Sequence, residues 1–318
     1  MQQIVFRTKN PQMEITLNDG GTSNITYTSG YNATEPVLTT VNYPTLALFD
    51  FDCNSLSTQA DNVSCVDMPG QHTIATRVQP RTLAVTLAFD GRSGGSDTDN
   101  SMYKLRRLIM RCFPLGVKGE MEYTNSNGTY YINCYATEYP NMERTAGTRV
   151  VSTFYLIADY PFWHQDRQGQ THTVSAGDAK AVTVLTEGDM ESPIICEIKC
   201  TQDMSGTPES LGPYGRYMYI WEPEGHKEDF KEAGAKMSFC KPLTAGQTLI
   251  FNTGLNNEVY VRLREADGTE RIANDYVDYN NSSLLKNRIG ATKWQFHLDG
   301  DTGQVEITMH YQNLYWAV

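Results

Sequence analysis

The 318-residue sequence holds 37 Asp and Glu, seven Cys and six His, and their spacing decides which chemistry is open to it. A glycosidase needs two carboxylates on opposite sides of a cleft. Asp50 and Asp52, two apart in Leu48-Phe-Asp-Phe-Asp52, share a face if that segment is a strand, and Glu222, Glu224 and Asp229 crowd one stretch. With this many acids such pairs arise without function, so a hydrolase ranks low. Cys196 and Cys200 lie four apart, on one strand face but too distant for a compact metal cluster, and no Cys or His pair at zinc spacing accompanies them. The histidines at 72, 164, 172, 226, 297 and 310 are scattered. Asp299-Gly-Asp-Thr-Gly303 opens like a calcium loop but lacks the later Gly and Glu, and a turn between the last two strands accounts for it. GxxxxGKS/T, GxGxxG, HExxH and GxSxG are all absent. No catalytic residue, metal or cofactor is expected.

Aromatic side chains offer binding where turnover has no seat. Tyr160-Pro161-Phe162-Trp163 follows a long strand-like run and precedes the polar stretch 164–171. Two roles suit it: a wedge that fixes a second domain against the first, or closure of the first domain's own core. Trp221, Trp294 and Trp316 are candidates for a partner or glycan surface, with burial in a core as the competing role.

The elements that must position these residues are mostly strands. Residues 81–89, 130–137 and 150–157 alternate apolar and polar with period two, the first placing Leu83, Val85, Leu87 and Phe89 on one face. Asn127-Gly128 suits a tight hairpin between 117–123 and 129–137, because both residues tolerate positive φ. Residues 97–112 are the exception: Met102, Leu105, Ile109 and Cys112 recur at helical spacing. Asp97 and Asp99 are placed to cap that helix, and Pro114 with Gly116 ends it. Lys104, Arg106 and Arg107 read as its solvated outer face. A boundary near residue 165 predicts two domains, 1–165 and 166–318. In the second, runs at 181–186, 194–201, 217–221, 236–239, 248–252, 259–265, 293–298 and 304–311 predict a β-sandwich. Segments 211–215 and 222–235 read as loop insertions in it.

Composition removes further classes. Lys and Arg number only 26, for a net charge of -11, so sequence-specific nucleic-acid binding, which needs clustered cations, is not expected. No apolar run approaches the length of a membrane span, so membrane insertion is not expected either. Met1–Arg7 lacks the features of a secretory leader. Cytoplasmic synthesis with reduced, mostly buried thiols is the expectation.

Several stretches in order carry a resemblance. They are a strand pair in 73–91, the helix 103–112 with Pro114-Leu-Gly116 and a hairpin after it, and the strand closing on Tyr160-Pro-Phe-Trp163. Further on come Leu243-Thr-Ala-Gly-Gln-Thr-Leu-Ile-Phe-Asn-Thr253, an L-x-x-G-x-x-L-x-x-x-T turn and strand, and the aromatic strand 307–315. Together they resemble the distal tail proteins (Dit) of long-tailed bacteriophages, the siphovirus tail component family, over nearly the whole chain. The resemblance implies a mainly β fold: an N-terminal belt domain, sandwich- or barrel-like with one α-helix, and a C-terminal galectin-like β-sandwich. It implies a homohexameric ring in the virion that joins the tail tube to the tail tip or baseplate and leaves a channel for DNA. The implied partners are further copies of the chain, the tail tube protein and tail-tip or receptor-binding proteins. The galectin-type sugar constellation (His-x-Asn-x-Arg with a later Trp and Glu-x-Arg) is missing, so the resemblance implies no sugar site. Residues 202–240 exceed the family norm and suggest a partner contact or an outer decoration. The alternative reading is a carbohydrate- or host-receptor-binding sandwich module.

Overall fold

The computed structural model describes residues 2–9, 12–20, 22–29, 37–53, 56–63, 72–90, 98–140, 142, 144–146, 149–207, 210–211, 215–223, 235–255 and 258–318. The chain divides into two compact units, Met1–Gln165 with Trp316–Val318, and Asp166–Tyr315. The last three residues thus leave the second domain, to which the boundary at 165 had assigned them. Two contacts hold them in the first unit: the Arg81 guanidinium donates to the Trp316 carbonyl, and the Trp316 ring packs on Phe162.

The first unit contains β1 (Gln3–Lys9), β2 (Gln12–Asn18), β3 (Ser23–Ser29), β4 (Val37–Tyr43), β5 (Ala47–Asp52), β6 (Thr58–Val63), β7 (His72–Val78) and β8 (Arg81–Asp90). There follow α1 (Thr98–Cys112), β9 (Gly119–Asn125), β10 (Gly128–Ala136), β11 (Arg144–Ala146), β12 (Arg149–Ala158) and β13 (Trp163–His164). The main sheet runs β4-β3-β2-β1-β9-β10-β12-β8-β5. Its β10–β12 joint is two residue pairs long, Tyr135 with Ile157 and Ala136 with Leu156. The halves on either side share one core: Phe6 of β1 stacks on Phe113 at 5.1 Å, and Phe113 meets Phe154 of β12 at 4.6 Å. The helix packs Met102, Leu105, Ile109 and Cys112 into it, as the spacing predicts, and leaves Lys104 and Arg107 exposed. The side chains of Asp97 and Asp99, read as caps, lie outside the described residues. Gly119 is required by packing, since a Cβ there would stand 2.5 Å from the Phe6 ring and 2.6 Å from the Arg7 carbonyl.

Two local expectations for this unit need correction. The hairpin turns on Ser126-Asn127, one residue earlier than expected, with Gly128 already paired to Asn125. Asn125 Oδ1 accepts from the Asn127 N–H at 2.8 Å and closes the turn, and Gly128 uses its positive φ of 149° as the first residue of β10. β7 and β8 do not pair with each other: β7 pairs β6, and β8 lies between β12 and β5. Pro80 offers no N–H at the junction, and the Gln79 N–H donates instead to Ser57, extending the β6–β7 ladder.

The second unit is a β-sandwich. One sheet runs β14 (Gln168–Ser175), β24 (Thr302–Tyr311), β16 (Ser192–Ser205), β19 (Thr248–Thr253), β20 (Val259–Arg264) and β21 (Glu270–Ile272), with β22 (Lys286–Asn287) on β16. The other runs β15 (Ala179–Thr186), β23 (Gly290–Leu298), β17 (Met218–Trp221) and β18 (Lys236–Phe239). β25 (Leu314–Tyr315) ends the unit. Inward side chains of both sheets form one core, including Ile194, Cys196, Ile198, Phe251, Leu263 and Ile307 from the first and Val184, Ile220, Trp294 and Phe296 from the second. The polar stretch 164–171 runs into β14, which pairs along its length with β24. It is polar because an edge strand leaves most of its side chains in water. The turn at 299–303 joins β23 to β24 across the two sheets, and Gly300, at φ 118°, leaves no room for a Cβ, which would lie 2.4 Å from the Ser205 carbonyl. Within 202–240 the sandwich takes the end of β16 together with β17 and β18, while 208–209, 212–214 and 224–234 lie outside the described residues.

Candidate functional site

The aromatic run after β12 splits into two groups, both inside the first unit. Trp163 is fully buried, its ring 6.2 Å from Phe51 and 6.0 Å from Tyr123. Its indole N–H donates to the Cys53 carbonyl at 3.4 Å. Phe162 faces the other way, edge-on to Tyr160 at 5.1 Å and to Trp316 at 5.3 Å. Burial pushes the Tyr160 phenol up to about 12, so it stays neutral. Pro161 is buried beside them. All of these ring contacts lie within the first unit. The structure thus joins Tyr160, Phe162 and Trp316, and leaves Trp221 and Trp294 elsewhere.

Arg81 links the two groups, and no sequence motif singled it out. It is fully buried at the start of β8, donating from one guanidinium nitrogen to the Cys53 carbonyl at 2.7 Å and from another to the Trp316 carbonyl. Its Nε is buried without a hydrogen-bond partner. Burial pulls its pKa below the ordinary arginine value, because charge loses solvation in an apolar surround. The Cys53 carbonyl therefore accepts from both Arg81 and Trp163. Strand parity held the signal: residue 81 is in phase with Leu83, Val85 and Leu87, all of them buried.

The tryptophans of the proposed glycan surface do not form one. Trp294 is fully buried and donates its indole N–H to Asn287 Oδ1 at 2.8 Å, and Trp221 is buried on β17. Trp316 alone is exposed, at 37%, and belongs to the first unit. An aromatic platform needs exposed faces side by side, and burial removes those of Trp221 and Trp294.

The groups that could carry chemistry are also placed. Asp50 and Asp52 are exposed on β5, where a register shift between Leu48 and Asp50 interrupts the ladder. Glu222 is buried and paired with Arg288 at 3.2 Å, while Glu224 and Asp229 lie outside the described residues. Cys196 and Cys200 both point into the sandwich core, and burial raises both thiol pKa values, keeping them protonated. The six described cysteines are free thiols, five of them buried. His297 Nε2 meets Asp299 Oδ1 at 2.7 Å, and His310 Nε2 meets Glu197 Oε1 at 3.5 Å. Among the described residues no group of three His, Cys, Asp or Glu is placed to hold a metal ion, and no helix is long and apolar enough to cross a membrane.

No protein-family model matches the sequence, and no curated protein matches it. Solved structures do. The Dit protein of phage SPP1, described as a paradigm of the hub adsorption apparatus in Gram-positive-infecting phages, aligns with a TM-score of 0.57 at 9% identity over 85% of this chain and 93% of its own. Two structures of the phage P2 baseplate in its activated conformation, with calcium and with strontium, align at TM-scores of 0.47 and 0.45 and identities of 7% and 8%. They cover 98% and 96% of this chain and 98% of their own chains, with scores too low to carry an argument. Two β units with one described α-helix thus have the fold of SPP1 Dit over most of their length, at only 9% sequence identity.

Proposed function

We propose that the chain is a structural component of a phage tail tip, built as a ring of six copies that joins the tail tube to the tip and leaves a channel for DNA. The observation that carries this reading is the likeness in fold to SPP1 Dit across both units. Its partners are then further copies of itself, the tail tube protein and tail-tip or receptor-binding proteins, and its place is the virion.

Two features of the first unit suit a ring. Its main sheet ends on β4 and β5, and among the described residues no further strand pairs with either. Each carries an exposed apolar side chain, Leu38 at 54% and Phe49 at 61%. Pairing β4 of one copy with β5 of the next is a head-to-tail contact, which closes into a ring when its rotation divides a full turn. On one sheet face Arg7 of β1 is also held by carboxylates, Glu14 of β2 at 2.7 Å and Glu122 of β9 at 2.6 Å. Such a face lets DNA slide, because retained phosphate contacts need unpaired Lys or Arg.

The test is the mass of the purified full chain by sedimentation, with negative-stain images of the same sample. Six copies in an annulus are expected. A monomer that persists at high concentration would sink the proposal. The alternative of a glycan-binding module on Trp221, Trp294 and Trp316 loses its platform to the burial of Trp221 and Trp294.

A further inference from the structure

One pair of strands in the first unit belongs to no larger sheet. β6 and β7 form a two-stranded sheet of their own, and among the described residues no third strand joins either edge. A hairpin by itself is marginal in water and needs further strands or an apolar face packed on a neighbour. The described side chains offer no such face: Thr58, Gln59, Ala60 and Arg77 are exposed, and Asp61, Ala75 and Val78 are half-buried. The side-chain bonds across it are its own, the Arg77–Asp61 pair at 3.0 Å and Gln79 Nε2 donating to Gln59 Oε1 at 2.9 Å. What the hairpin lacks is a strand to lie beside.

β4 has the complementary need. Its sequence, Val-Leu-Thr-Thr-Val-Asn-Tyr, holds four β-branched residues, no Pro and no charge, so nothing blunts this sheet edge against pairing. β5, at the other end of the sheet, is the weaker mate for it: Asp50 and Asp52 are exposed there, and the register shifts between Leu48 and Asp50. Sense matters too. The eight steps from β4 to β5 are all antiparallel, so the two end strands run the same way. A copy related by rotation keeps that sense along the ring axis, and β5 would meet the next β4 in parallel, the less stable pairing. A hairpin has one strand of each sense and always holds an antiparallel mate. This one follows β5 after residues 53–57 and leads through Gln79-Pro80 into β8, the neighbour of β5, so both its ends spring from the sheet end opposite β4.

We infer that the β6–β7 hairpin is an arm that adds a strand to the β4 edge of the next copy. This contact rests on the ring proposed above and names the segment that closes it. Parity sets the backbone groups it uses. The Gln79 N–H donates to the Ser57 carbonyl, and along an antiparallel ladder bonded pairs alternate with open ones. Gln59–Arg77 and Asp61–Ala75 are therefore bonded pairs, and the N–H groups of Thr58, Ala60, Thr76 and Val78 point out from the hairpin. Each arm strand thus presents donors and carbonyls at every second residue, the pattern an unpaired β4 edge accepts.

The experiment measures amide hydrogen exchange at residue resolution on the full chain, as ring and as monomer. In the ring, alternate amides of β4 and the outward amides of one arm strand should exchange at least about tenfold more slowly than in the monomer. Ala60→Pro combined with Thr76→Pro removes one outward N–H from each arm strand and leaves the hairpin's own ladder whole, since an edge tolerates proline. That double variant should need at least about tenfold more protein for half-assembly, with the melting temperature of the monomer unchanged. Ala60→Thr combined with Thr76→Val keeps both N–H groups and should assemble like the parent. A ring whose β4 and arm amides exchange as fast as in the monomer overturns the arm contact and leaves the ring standing. Protection of β4 without the arm gives that edge to another strand and overturns it too. A parent that stays monomeric overturns ring and arm together.

Discussion

A buried arginine whose charge is matched mostly by carbonyls is held in place by what it orders. Arg81 meets the Cys53 and Trp316 carbonyls, and so fastens the chain's return at 316–318 to the strand that opens beneath it. Arg81→Met keeps the volume and removes the donors, leaving buried acceptors unmet. The expected cost is about 1–3 kcal/mol, with faster amide hydrogen exchange at 316–318. A variant as stable and as protected as the parent would show the contact to be incidental. Asp278 offers a pH test. The hydrogen bond from Asn281, at 2.9 Å, and then those from Arg216 hold its carboxyl below the usual carboxylate value. A carboxyl with a lowered folded pKa adds stability that is present above its unfolded pKa and lost as pH falls through the folded one. Asp278→Asn should therefore lower the melting temperature by a few degrees at pH 7, with the gap closing below about pH 3. His310 acts in the same direction at milder acidity: burial lowers its pKa below that of the unfolded chain, so its protonation disfavours the fold as pH falls below about 6.5.

Among elements, the strap from β12 into β13 bears most on the first unit's core. Trp163 is fully buried between Phe51 of β5 and Tyr123 of β9, and so joins the two halves of a sheet whose hydrogen-bonded β10–β12 joint is short. Trp163→Ala should cost about 3–5 kcal/mol in chemical denaturation, the range for deleting a buried tryptophan. An undisturbed midpoint would mean that the halves are held elsewhere. Element edges also explain the two misread segments. β14 gave no strand signal because an edge strand has little apolar patterning, and β7 looked like the partner of β8 because neighbouring strands often pair.

At the scale of the whole molecule, electrostatics bears on the proposed channel. The chain's net charge is -11, and the polar face around Arg7, Glu14 and Glu122 neutralises its own cation. Replacing Glu14→Lys and Glu122→Lys together frees Arg7 and adds two cations per copy. A ring of such copies should retain duplex DNA in a filter or gel-shift assay at low salt, with binding that falls steeply as salt rises, while the parent ring passes it. Equal retention by both would show that this face does not line a passage.

What the sequence determined by itself was local and periodic. Period-two alternation located most sandwich strands to within a few residues, and 3.6-residue spacing located α1 with its buried face, because both signals are written in one dimension. The order of those elements was enough to suggest the Dit likeness that the comparison of folds then bore out. The tertiary structure alone decided the rest. Whether a tryptophan lies in a core or on a surface depends on what another strand brings opposite it, so Trp294 could not be placed beforehand. Arg81 announced its inward position by parity, but its partners, Cys53 and Trp316, lie 28 and 235 residues away. The polar cleft on the outer face of the larger sandwich sheet is wider still in origin: its walls come from β16, β20, β21 and the residues before β14, groups with no common spacing, brought side by side only when the sheet registers align them.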